Sequence, residues 1–186
     1  MKNVANIITS IRIIGVFLLL YTEYSSLGFY IIYTLCGVSD AVDGWIARKT
    51  KTTSEFGAQL DSIADIWFYF AMLVKVLPVL INQLPSFIWC LTAGIVGVRI
   101  FGYVVAYMKY HKFASLHTYM NKITGLMVFL VPYIMKSEGF YGFSILVCMV
   151  ALAAALEELV VHICSRECHP NEKSLFDFIE GYHYAK

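Results

Sequence analysis

The sequence predicts an all-α integral membrane protein with six transmembrane helices, an N-terminal start lying along the interface and a short polar C-terminal tail. Three observations carry this. Apolar residues make up 59% of the 186, charged residues only 15%, and mean hydropathy is +0.68, far outside the usual soluble range. Six apolar runs each approach the roughly 20 residues that a bilayer crossing needs, and no break between them can hold a second domain. Within two of the runs, acidic residues recur at helical spacing, and an ionisable side chain in a membrane span is by default functional. The expected organisation is therefore one six-helix domain over 1–163 and a cytoplasmic tail over 164–186. A formal net charge of +1 gives no argument for a nucleic-acid partner.

The first run, 4–22, opens Asn3-Val-Ala-Asn6-Ile-Ile-Thr9-Ser10-Ile-Arg12, polar positions that fit an interfacial start before the chain turns into the bilayer. Arg12 reads as an anchor whose charged head snorkels to the surface, with contact to lipid phosphate as the alternative. No small-x-small cleavage site closes the run, so it reads as a retained helix.

The second run, 27–48, ends Asp40-Ala-Val-Asp43-Gly44-Trp-Ile-Ala47-Arg48, and the third, 57–81, opens with Gly57, Asp61 and Asp65. Spacings of three, four and seven nearly complete whole turns, so Asp40, Asp43, Gly44 and Ala47 share one helix face. Gly57, Asp61 and Asp65 share a face of the next helix for the same reason. A solvated turn accounts for Lys49, Lys51 and Glu55, but not for acids in register along two apolar helices. Four carboxylates at close range in a low dielectric would take up protons, and a divalent cation, or two, removes the conflict. Oxygen ligands without His or Cys point to Mg²⁺ or Mn²⁺ rather than zinc.

The fourth run, 85–109, carries Arg99 about two turns from its boundary, where it either pairs with a buried aspartate or binds an anionic substrate group. The fifth, 118–136, begins Thr118-Tyr-Met-Asn121-Lys122, and the sixth, 140–163, ends with Glu157-Glu158. These two acids face the cytoplasmic boundary or a neighbouring helix. Beyond them, His162, Cys164, Cys168 and His169 lie within eight residues, but at no recognised zinc spacing. The five cysteines include three in apolar runs, so no disulfide framework follows. Basic residues place both termini in the cytoplasm: Lys2, Arg48, Lys49, Lys51, Lys109, Lys112, Arg166, Lys173 and Lys186 lie on their side, against Lys136 opposite and Lys75 a turn or so short of it. The acidic stretch then faces the cytoplasmic side of the cell membrane.

The stretch from Asp40 to Asp65 resembles the signature of the CDP-alcohol phosphatidyltransferases, D-x2-D-G-x2-A-R-x8-G-x3-D-x3-D, at every fixed position, eight specified residues over 26. The resemblance implies metal-dependent transfer of a phosphatidyl group from CDP-diacylglycerol to a small alcohol, releasing CMP, in phospholipid biosynthesis at the bilayer, by a homodimer. It implies that Asp40, Asp43, Asp61 and Asp65 hold two ions, with Asp65 also the base, and that Asp40, Asp43, Gly44, Ala47, Arg48 and Gly57 bind the CDP end. Small residues at 44, 47 and 57 would let a nucleotide approach the helix backbones, and Arg48 can fork onto phosphate oxygens.

The acceptor is less defined. Phosphatidylglycerophosphate synthases commonly read LDP-x-x-DK, whereas this chain reads Leu60-Asp61-Ser62-Ile63-Ala64-Asp65-Ile66, closer to serine and inositol enzymes. The Phe-Gly and Pro common in serine enzymes are absent after Trp67-Phe68-Tyr69. A basic rim, with Arg99 and Lys122 as acceptor-binding residues, favours an acidic acceptor and ranks glycerol 3-phosphate ahead of serine or an inositol compound. An Asp-rich membrane prenyltransferase or a cation carrier are the remaining classes. The prenyltransferases usually have more helices and separated Asp motifs, a carrier has no evident use for Gly44, Ala47, Arg48 and Gly57, and only the phosphatidyltransferase reading predicts release of CMP.

Overall fold

The computed structural model describes residues 2–50, 55–111 and 118–164, and the side chains of 9–40, 42, 57, 60–111 and 118–164. Six helices and no strand occur among the described residues: α1 (Lys2–Tyr21), α2 (Leu27–Thr50), α3 (Glu55–Gln83), α4 (Ser86–Tyr110), α5 (Tyr119–Ile134) and α6 (Phe140–Cys164). No boundary lies more than two residues from the runs expected from sequence. Leu60–Gln83 in α3, all of α4 and all of α6 are long and apolar enough to cross a bilayer, and α1 and α2 carry shorter apolar stretches. Large apolar side chains cover the outside, among them Ile11, Leu35, Ile66, Met108 and Leu126. Such a surface suits lipid rather than water.

The chain divides into two compact units, Met1–Gln83 and Leu84–Lys186. In the first, α1 packs on both α2 and α3. Among the described side chains of α1, Thr9, Arg12, Val16 and Leu19 are buried, a stripe at spacings of three and four that faces its neighbours. Phe29, Tyr33 and Phe68 stack in a ladder at 5.8 and 5.6 Å between centroids. The turn between α1 and α2 places Ser25 at φ 68. There the Ser26 hydroxyl accepts from the Phe29 N–H at 3.1 Å, satisfying one of the open donors at the start of α2. At the same end Lys75 Nζ donates to the Thr22 carbonyl at 2.9 Å, closing the end of α1.

Gly15 sets how closely α1 and α2 approach, because a Cβ there would meet Cys36 Sγ at 3.0 Å. Gly15→Leu therefore pushes the helices apart one turn from Arg12. The expected result is a loss of about 1–3 kcal/mol in detergent denaturation, and unchanged stability would show that the contact yields freely.

In the second unit α4 and α5 each pack on α6. Gly102 and Ala106 of α4 and Ala154 and Ala155 of α6 are buried, small side chains that permit close helix approach. The open carbonyls at the end of α6 are satisfied by Lys109, whose Nζ donates to His162 O at 3.0 Å and Ile163 O at 2.7 Å. Thr118 caps α5, its hydroxyl accepting from Asn121 N–H at 3.3 Å.

Candidate active site

The site lies in the first unit, where three helices each contribute. Asp61 and Asp65 stand one turn apart on α3, and Asp40 comes from α2. One carboxylate oxygen from each lies within 4.8 Å of the other two. Asp43, Gly44, Ala47 and Arg48 continue along the last turns of α2, and their side chains lie outside the described residues. Gly57 is half-buried near the start of α3.

Arg12 of α1 occupies the middle of the aspartates. Its Nη1 donates to Asp40 Oδ1 at 3.0 Å, Asp61 Oδ1 at 3.0 Å and Asp65 Oδ1 at 3.1 Å, and its Nε donates to Ser39 Oγ at 3.3 Å. The Ser39 hydroxyl in turn donates to the Cys36 carbonyl at 2.8 Å. The guanidinium side chain is 1% exposed, against 52%, 41% and 42% for Asp40, Asp61 and Asp65. The carboxylates therefore line an open mouth, and the arginine seals its floor. This corrects the interfacial-anchor reading of Arg12, because a snorkelling head would be wet, and this one is 2% exposed and ion-paired. Its place in line with Thr9, Val16 and Leu19 puts it on the buried face of α1.

A second polar cluster occupies the other unit. Arg99 Nη2 donates to Asn121 Oδ1 at 2.7 Å, and Nη1 lies 3.6 Å from Glu158 Oε2. Glu158 is 3% exposed and also lies 3.5 Å from Asn121 Nδ2 and 4.0 Å from His162 Nε2. So Arg99 is engaged by a carboxylate of α6, the residue that sequence left between a boundary and a helix neighbour. Lys122 is exposed, with Nζ 5.4 Å above the Tyr119 ring. His162 is buried beside this cluster and Cys164 is exposed, while Cys168 and His169 lie outside the described residues.

A family-wide profile described as CDP-alcohol phosphatidyltransferase matches residues 2–160, nearly the whole chain. The chain belongs to the CDP-alcohol phosphatidyltransferase family. Among curated relatives of this family member, a CDP-diacylglycerol–serine O-phosphatidyltransferase of Methanocaldococcus jannaschii is 39% identical over 65 residues, 34% of this chain and 29% of the relative. A CDP-diacylglycerol–glycerol-3-phosphate 3-phosphatidyltransferase of Haemophilus influenzae is 46% identical over 46 residues, 25% of each chain. One of the same name from Pseudomonas fluorescens is 30% identical over 92 residues, 47% of this chain and 45% of the relative. The matches thus span less than half the length of these relatives. No solved structure matches. CDP-alcohol phosphatidyltransferases generally depend on a divalent metal, and the donor set here suits one: three carboxylate oxygens and no sulfur or imidazole among them.

Proposed function

We propose that this CDP-alcohol phosphatidyltransferase moves a phosphatidyl group from CDP-diacylglycerol to the hydroxyl of glycerol 3-phosphate, releasing CMP. The convergence of Asp40, Asp61 and Asp65 within 4.8 Å is the observation that carries the reading. In the step, the acceptor oxygen forms a bond to the donor's β-phosphorus as the bond from that phosphorus to the oxygen of CMP breaks. CMP leaves with the bonding pair, and a carboxylate oxygen of Asp65 takes the acceptor's proton. Asp40, Asp43, Asp61 and Asp65 would hold Mg²⁺ or Mn²⁺, as two ions, and these would supply polarisation of the phosphorus and neutralisation of charge on the leaving group. Arg48 holds phosphate oxygens of the donor, and Gly44, Ala47 and Gly57 leave room for its cytidine end. Arg99 and Lys122 bind the acceptor.

The glycerol 3-phosphate acceptor is supported by the basic residues Arg99 and Lys122 of the fourth and fifth helices and by the Haemophilus influenzae and Pseudomonas fluorescens relatives, whose names carry it. Serine is the second reading, favoured by the Leu60-Asp61-Ser62 stretch and by the name of the Methanocaldococcus jannaschii relative. The same reading takes residues 1–163 as one domain of six spans in the cytoplasmic membrane, with termini and site on the cytoplasmic face, working as a homodimer.

The test is CMP release by purified protein given CDP-diacylglycerol and, separately, glycerol 3-phosphate, serine, myo-inositol and inositol phosphate. Glycerol 3-phosphate should give the highest rate, EDTA should abolish it, and Mg²⁺ or Mn²⁺ should restore it. Turnover in exhaustively chelated protein would sink the metal reading. No CMP with any acceptor would return the protein to the carrier or prenyltransferase classes.

A further inference from the structure

The guanidinium of Arg12 lies where a metal ion's charge is needed. Its Nη1 touches all three clustered carboxylate oxygens at 3.0–3.1 Å. An ion held by the same oxygens at about 2.1 Å draws them inward by about an ångström and fills the space that Nη1 now fills. The guanidinium and an ion seated among these three oxygens cannot occupy the same point, because they overlap and compete for the same lone pairs. A displaced guanidinium cannot remain there unpaired either, since a charge with a 1% exposed side chain needs an anion.

We propose that Arg12 is a built-in counter-cation that exchanges with the divalent ion. In the metal-free protein it holds Asp40, Asp61 and Asp65 together. On metal entry it withdraws from them and forks onto a phosphate oxygen of the donor. The loading order follows from this exchange. The ion and the diphosphate are taken up together, because the ion frees the arginine and the diphosphate receives it. The inference rests on the metal-dependent reading above and assigns Arg12 two opposed effects, against the bare ion and in favour of the nucleotide.

The experiment uses detergent-purified full-length protein stripped with chelator. Mn²⁺ binding is followed by electron paramagnetic resonance without nucleotide, and CDP binding by calorimetry in saturating Mg²⁺. In R12Q the bare Mn²⁺ should bind about 10- to 100-fold tighter, as charge-assisted hydrogen bonds of the arginine no longer compete. CDP should bind about tenfold more weakly, for loss of one such contact. A folding defect would weaken both ligands, so the opposite signs are diagnostic. Equal or weaker Mn²⁺ binding by R12Q overturns the exchange, and unchanged CDP binding overturns the phosphate contact.

D61N separates the underlying reading. If wild type and D61N bind Mn²⁺ alike, the carboxylates are not the metal site and the proposal falls with it. A third readout needs no loss of the arginine from the functional protein. With ¹⁵N-arginine, the Arg12 Nε–H resonance, assigned by its absence in R12K, should shift when Mg²⁺ is added to the wild type. A stationary resonance while the metal binds overturns the exchange even where R12Q fails to insert.

Discussion

Asp61→Ala should insert into the membrane and yet release CMP at a rate lower by on the order of 10³, the equivalent of several kcal/mol of metal-derived transition-state stabilisation at about 1.4 kcal/mol per tenfold. The residue is 41% exposed at the mouth of the site, so its removal takes away the proposed ligand oxygen and little apolar packing. Arg12 loses one of its carboxylates but keeps Asp40, Asp65 and Ser39 within reach. The cost to stability is then about that of one charged hydrogen bond, 1.5–3 kcal/mol. Asp61→Asn separates the two effects, because the amide fills the same volume and still cannot serve as an anionic ligand. CMP release and thermal denaturation on the same preparation give the answer. Either variant retaining a tenth of wild-type turnover would mean that the metal is held without Asp61.

Arg99→Gln has the largest expected effect on stability. Glu158 is 3% exposed, and the substitution leaves that carboxylate without its guanidinium partner. Breaking a buried pair from one side costs about 3–5 kcal/mol. Here the lower end applies, because the Arg99 side chain is 27% exposed and the pair is 3.6 Å apart. The double variant Arg99→Gln/Glu158→Gln should recover most of the loss, since both charges are then gone. If the double variant is no more stable than the single one, the pair is not what Arg99 contributes. Kinetics add a second readout. A phosphate-bearing acceptor has to compete with Glu158 for Arg99, so Arg99→Gln should raise acceptor KM and spare donor binding. Equal losses of kcat for every acceptor would place Arg99 in support of the site rather than on the acceptor.

The helices were legible because each apolar run ends at polar breaks, and the clustering of Asp61 and Asp65 follows from a spacing of four on one rod. Asp40 was legible by the same reasoning, through its register on α2. Arg12 was not, although it completes the site. Its partners lie 27 to 53 residues away in sequence, and nothing local announces them. Both faces of α1 are apolar: Ile11, Ile14, Phe17 and Leu18 are exposed, while Val16 and Leu19 are buried. Hydrophobic periodicity therefore could not say which face looks inward, and an arginine near the chain start took the default reading of a surface anchor. Glu158 was hidden in the same way, because a carboxylate near a helix end looks solvated until Arg99 and Asn121 arrive from two other helices. In a lipid-facing bundle, the polar residues that matter are found by their partners rather than by their neighbours.

The three clustered aspartates come from two helices. Asp61 and Asp65 ride on one helix, four residues and about 6 Å of rise apart, so α3 acts as the fixed jaw of a vice. Asp40 belongs to α2 and forms the opposite jaw. The gap between the jaws is set where α2 meets α1, at the point where Gly15 leaves room for Cys36. In the proposed metal site, the distance of Asp40 from Asp61 and Asp65 would then follow the calibre of a helix–helix contact that holds no ligand. A residue change at that contact would shift Asp40 against the other two and alter which ion size fits, with no aspartate itself replaced.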